Sequence, residues 1–85
     1  KRAVPTVLDM TDAEWMGCIA LLREQVARID AQHRPDGYNI GINCHAAAGQ
    51  TIYHAHIHII PRYWGDHPNP RGGVRAVIPG KADYT

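Results

Sequence analysis

The stretch "HAHIHII", residues 54–60, sets His54, His56 and His58 at alternate positions of an apolar run. Alternate residues of an extended chain stand about 6.6 Å apart and point the same way, so the three imidazoles are expected as a row on one face. Three chemistries suit such a row. Imidazole nitrogens can converge on zinc at about 2.0 Å. Protonated rings and their N–H groups can hold phosphate. A ring can also attack phosphorus while its neighbours stabilise charge on the oxygens. A catalytic zinc usually takes a third ligand in fixed geometry and often has a carboxylate nearby. Neither expected strand offers an acid and Asp66 lies in the tail, which makes metal the weaker chemistry. An inert run or a tag remnant fits poorly, because the rings are interleaved with apolar residues in mid-chain.

The elements that must position this row can be read from pattern. Thr11 followed by Glu14 is a capping box, with Met10 and Trp15 placed as a hydrophobic staple, so a helix is expected over about 11–33. Trp15, Cys18, Ile19, Leu22, Val26 and Ile29 recur at helical spacing as one apolar stripe. Pro35 and the turn-forming "RPDG" end the helix near His33 and Arg34. "YNIGIN" alternates Tyr38, Ile40 and Ile42 against Asn39, Gly41 and Asn43, predicting a strand over about 38–43. A second strand is expected over about 51–60, with Thr51, Tyr53, Ala55, Ile57 and Ile59 on one face and the histidines on the other. The simplest assembly is α+β: an amphipathic helix on the apolar face of an antiparallel strand pair. From Pro61 to Thr85 the prolines and glycines predict an irregular tail, with Trp64 packed into it.

Composition narrows the partners. A net charge of +1 gives no broad basic surface for nucleic acid, and charges break every apolar stretch before the roughly 18 residues that a membrane span needs. Cys18 and Cys44 are too far apart for a CxxC motif and read as free thiols of a reducing, cytoplasmic compartment. At 85 residues the chain is at most one small domain, and a chain of that size buries only roughly 60% of its unfolded surface. The opening "KRAVPTVLDM" reads as a joint leaving an earlier element.

"AGQTIYHAHIHIIPRY" resembles the signature of the histidine triad (HIT) family of nucleotide hydrolases and transferases, in which three histidines alternate with apolar residues. "GYNIGIN" and "AAGQT" resemble the family's preceding strand and phosphate-side loop, and "IPRYWGDHPNPRGGVR" resembles the tail of microbial members closest to dinucleoside polyphosphate hydrolases. The resemblance implies that His56 attacks the α-phosphorus and carries a nucleotidyl intermediate. It implies that His58 donates to a phosphate oxygen, and that His54 positions the phosphate while its carbonyl sets the tautomer of His56. Asn43 corresponds to an amide near the scissile phosphate, Thr51 to a hydroxyl donor, and the backbone at Gly49 and Gln50 to a phosphate cradle. Without the resemblance, Asn43 reads as a turn former and Thr51 as a residue that favours strands. His33, His45 and His67 read as surface residues, and Arg71 and Arg75 as solvated.

The implied chemistry calls for a nucleotide substrate and no metal or other cofactor. A histidine at position 58 points to hydrolysis rather than to the uridylyltransferase branch. By the same resemblance, the chain is equivalent to the C-terminal half of a HIT domain, and the expectation is a homodimer or exchanged dimer, a second chain that carries the N-terminal half, or an incomplete gene. A non-catalytic nucleotide-binding or assembly module is the rival expectation, and a small metal-binding protein is a weaker third.

Overall fold

The computed structural model describes residues 4–82 of the 85; the ends of the expected joint and tail, residues 1–3 and 83–85, lie outside the described residues. A short 3-10 turn, Val7–Asp9, leads into helix α1 (Asp12–His33). Strand β1 (Gly37–Ile42), a 3-10 turn at Ala46–Ala48, strand β2 (Ile57–Arg62) and a last 3-10 turn at Gly73–Val77 follow. One long helix with an antiparallel strand pair makes the α+β architecture that the pattern predicts. No helix among the described residues is long and apolar enough to cross a membrane.

The helix starts where its cap is written. Thr11 Oγ1 accepts from the Glu14 N–H at 3.1 Å, and the Glu14 carboxylate accepts from the Thr11 N–H at 2.8 Å. Two backbone donors that the first turn leaves unpaired are thereby satisfied. At the other end Arg34 adopts a left-handed φ of 47° and sends its N–H back to the Asp30 carbonyl; Pro35 then bars continuation. Of the expected stripe, Trp15, Cys18, Leu22, Val26 and Ile29 are half-buried, whereas Ile19 is exposed.

The register sets Tyr38, Ile40 and Ile42 opposite Pro61, Ile59 and Ile57, and Asn39 and Gly41 opposite Ile60 and His58. Because side chains alternate across a strand, the first set shares the helix side of the sheet. There Ile57 and Ile59 join Cys18 and Leu22 around a groove of about 350 Å³. Tyr38 also ties sheet to helix, its hydroxyl donating to the Asp30 carboxylate at 2.6 Å. Loss of solvent and that carboxylate together push its phenol up to about 12.

Three features depart from the sequence reading. β2 begins at Ile57, not near Thr51, and residues 51–56, including His54 and His56, form an irregular run. The reason is that β1 ends at Ile42, opposite Ile57, so earlier residues have no partner strand. The Ala55 N–H turns instead to the Val4 carbonyl at 2.8 Å. Second, the opening stretch read as a joint holds the best-buried side chains among the described residues: Val4, Thr6 and Val7, with Gln50. Thr6 and Asp9 form a second reciprocal cap, in which the Leu8 N–H donates to Thr6 Oγ1 and the Thr6 N–H to Asp9. Third, β2 extends two residues into the expected tail, to Arg62, while Trp64 is 83% exposed rather than packed.

Arg62 holds the far end of the sheet. Its Nε and Nη2 donate to the Asp66 carboxylate at 2.8 and 2.7 Å, and its Nη1 donates to Asn39 on the partner strand. The Arg62 guanidinium and the Tyr63 N–H hold the Asp66 carboxyl well below the usual carboxylate range. Such a group adds stability above its unfolded pKa, near pH 4, and that contribution fades as pH falls toward the folded value. Asp66→Asn should therefore lower the melting temperature at pH 7, and the gap from the parent protein should narrow steadily below pH 4 in thermal unfolding.

At the near end the buried Gln50 amide does equivalent work. Its Nε2 donates to the carbonyls of Pro5 at 2.5 Å and Ile52 at 3.0 Å, and its Oε1 accepts from the His45 N–H at 2.6 Å. Gln50→Ala leaves those groups without their partner and should lose about 1–3 kcal/mol in urea unfolding. Gln50→Glu keeps the acceptor but removes both donors, so it should fail to restore the loss.

Candidate active site

The three histidines arrive by different routes. His58 lies inside β2 on the face away from α1, whereas His54 and His56 belong to the irregular run before it. The rings of His56 and His58 nevertheless meet edge to face, with centroids 5.0 Å apart and planes at 75°. Asn43, one residue past β1, brings its Nδ2 to 3.5 Å from His58 Nε2. His54 contributes through its backbone: His56 Nδ1 stands 2.7 Å from the His54 carbonyl oxygen.

That contact has a chemical consequence. A carbonyl oxygen only accepts, so Nδ1 of His56 carries the proton, and in the neutral ring the lone pair is left on Nε2. The ring is thus held in one orientation with its basic nitrogen turned from the chain that fixes it. The side chains of His54, His56 and His58 are all exposed, so their face is open to a ligand.

The loop of residues 43–52 is shaped by two residues of positive φ, His45 at 73° and the left-handed Gly49 at 93°, which flank the 3-10 turn at Ala46–Ala48. Glycine takes that conformation at no steric cost. Gln50, read as part of a phosphate cradle, has its side chain occupied by three backbone groups and acts as the loop's internal tie. Thr51 is exposed in the irregular run. His45 is an exposed loop residue, as expected, and its backbone N–H is one of the groups that Gln50 holds.

Of the residues singled out in the sequence, His54, His56, His58 and Asn43 are therefore joined by direct contacts, and Gly49 and Gln50 build the adjoining loop. The anchoring of that loop on Val4–Pro5 escaped the pattern reading. The "TVLD" box of Thr6 and Asp9 was the available signal that this stretch is folded. Among the described residues no three His, Cys, Asp or Glu side chains are grouped to hold a metal ion. The ring and amide nitrogens gathered here suit an anion's oxygens instead.

Comparison with known proteins identifies the family. A family model described as "HIT domain" matches residues 1–65. An AP-4-A phosphorylase of Mycobacterium tuberculosis is 35% identical over 66 residues, covering 76% of the chain and 34% of that protein. A bis(5'-nucleosyl)-tetraphosphatase [asymmetrical] of Schizosaccharomyces pombe is 38% identical over 66 residues, covering 78% of the chain and 36% of that protein. The crystal structure of SMU.412c from Streptococcus mutans superposes with a TM-score of 0.73 at 32% identity, over 84% of the chain and 45% of its counterpart. The chain thus spans about a third of the length of those two relatives. With most of its length matched by the family model and its fold shared, the chain belongs to the HIT domain family.

Proposed function

We propose that the protein hydrolyses, or transfers the nucleotidyl group of, nucleoside phosphate derivatives such as dinucleoside polyphosphates or phosphoramidates, with His56 as the nucleophile. The observation that carries this reading is the 2.7 Å contact between His56 Nδ1 and the His54 carbonyl, which leaves the Nε2 lone pair available. Nε2 attacks the α-phosphorus; an N–P bond forms as the bond to the leaving group breaks, and that group departs with the bonding pair and takes up a proton. Water then attacks the same phosphorus, the N–P bond breaks, a proton is released and the neutral ring is restored. The Asn43 amide and a protonated His58, whose neutral Nε2 accepts from Asn43 Nδ2 at 3.5 Å, are the donors best placed to meet the phosphate oxygens. The names of the relatives, a phosphorylase of AP-4-A and a nucleosyl tetraphosphatase, support the substrate class.

The same reading takes a second copy, or another chain, against the two-stranded sheet, since such a pair is at best marginally stable by itself. The half-buried free thiols of Cys18 and Cys44 fit a reducing cytoplasm. The triad chemistry asks for no metal.

His56→Ala should abolish turnover of adenosine phosphoramidate or diadenosine tetraphosphate, by about 10³-fold or more, while AMP binding measured by calorimetry survives, because a covalent route is removed rather than weakened. Full activity in that variant would rule the mechanism out. A parent protein that binds AMP yet turns over neither compound would instead be a nucleotide-binding module. Exhaustive chelation should leave activity and melting temperature unchanged, and loss of either would move the assignment toward metal chemistry.

A further inference from the structure

Gly41 occupies the interior of β1 directly across from His58. Glycine weakens a strand interior, because it surrenders more chain entropy on folding and offers no side chain to pack. Two ordinary reasons for keeping one do not apply here. Gly41 is not among the residues of positive φ, so its backbone conformation does not call for glycine. A Cβ built on it would meet nothing within 4 Å, so no neighbouring group of the chain requires its absence. The reason that remains is close approach by something from outside.

The surroundings say what that is. Directly opposed residues of an antiparallel pair hold their Cβ atoms about 4.5–5.5 Å apart, so any side chain at position 41 would stand against the His58 imidazole. On the same face Asn43 reaches His58 on one side of Gly41, and Asn39 is drawn to Arg62 on the other. Between these two occupied positions the bare backbone of Gly41 leaves a gap that opens beside the phosphate donors.

Resting on the function proposed above, we infer that Gly41 is a specificity-determining residue: the gap admits the larger arm of an extended substrate, passing over the strand beside His58. The substrate class favoured is then one with bulk on both sides of the reacting phosphate, such as a dinucleoside polyphosphate, over a nucleotide bearing a small leaving group.

The test compares Gly41→Ala and Gly41→Val with the parent protein on diadenosine tetraphosphate and on adenosine phosphoramidate, by kcat/KM and by calorimetric binding. The ratio of the two kcat/KM values should fall by about tenfold or more in Gly41→Val and by less in Gly41→Ala, as expected when a pocket loses room stepwise. Melting temperature should hold or rise in Gly41→Ala, since the added Cβ meets nothing within 4 Å. A ratio within about twofold of the parent's would overturn the inference and leave the catalytic reading intact. So would an equal loss on both compounds accompanied by a change in the native mass, which would make Gly41 a contact between chains. If the parent protein binds both compounds without turnover, selective loss of tetraphosphate binding in Gly41→Val upholds the gap while the catalytic reading fails. If the parent binds neither, both fall.

Discussion

The register between β1 and β2 is the constraint from which the site follows. Side chains alternate along a strand, so a slip of one residue would carry His58 to the helix side and bring Ile57 and Ile59 out. The chain fixes that register at both ends of the sheet. At one end Arg62 bonds Asn39 and Asp66, and its carbonyl accepts from the Asp36 N–H at 2.8 Å. At the other, Asn43 closes on His58. The apolar pairs Ile40–Ile59 and Ile42–Ile57 lie between them and prefer one face. Charge-assisted clamping thus supplies the specificity that a small apolar face cannot provide alone.

Placing His56 is a different problem, because it stands outside the sheet. Its backbone is held indirectly: Ala55 hangs on the Val4 carbonyl, and Gln50 ties Ile52 to Pro5. The opening stretch, buried through Val4, Thr6 and Val7, therefore positions the triad from underneath. An irregular run is well suited to the task. A continuous strand would spend the His54 carbonyl and the Ala55 N–H on its own plane or on a neighbouring strand. Here the His54 carbonyl is turned to the His56 ring and the Ala55 N–H to Val4.

What was legible in the sequence followed from how local each signal is. The helix was readable to within a residue because Thr11, Glu14 and Pro35 act over three or four positions and need no distant partner. The first strand was close for the same reason. The second was misjudged because "TIYHAHIHII" keeps an alternation of two throughout, while only the part facing β1 can pair. Where the partner ends depends on the loop at His45, and nothing in residues 51–56 encodes it. Likewise Gln50 was read for its backbone, and nothing in the neighbouring residues announces that its side chain ties the loop to Pro5, 45 residues away. Trp64 misled because a large aromatic is usually buried; here its backbone, bonded to Asp36, is the part that is used.

The distribution of charge completes the argument for an anionic ligand. The carboxylates of best-defined geometry are engaged elsewhere: Asp66 with Arg62, Asp30 with the Tyr38 hydroxyl, Glu14 and Asp9 with their own helical caps, and Asp36 with the Trp64 N–H. Each neutralises a donor away from the triad, and none of these contacts lies on the His58 face between Gly41 and Asn43. What that face offers is ring nitrogen and side-chain amide. Such a surface repels no phosphate and gives a cation no compensating acid. Those carboxylates thus stabilise the scaffold through contacts away from His56 and His58.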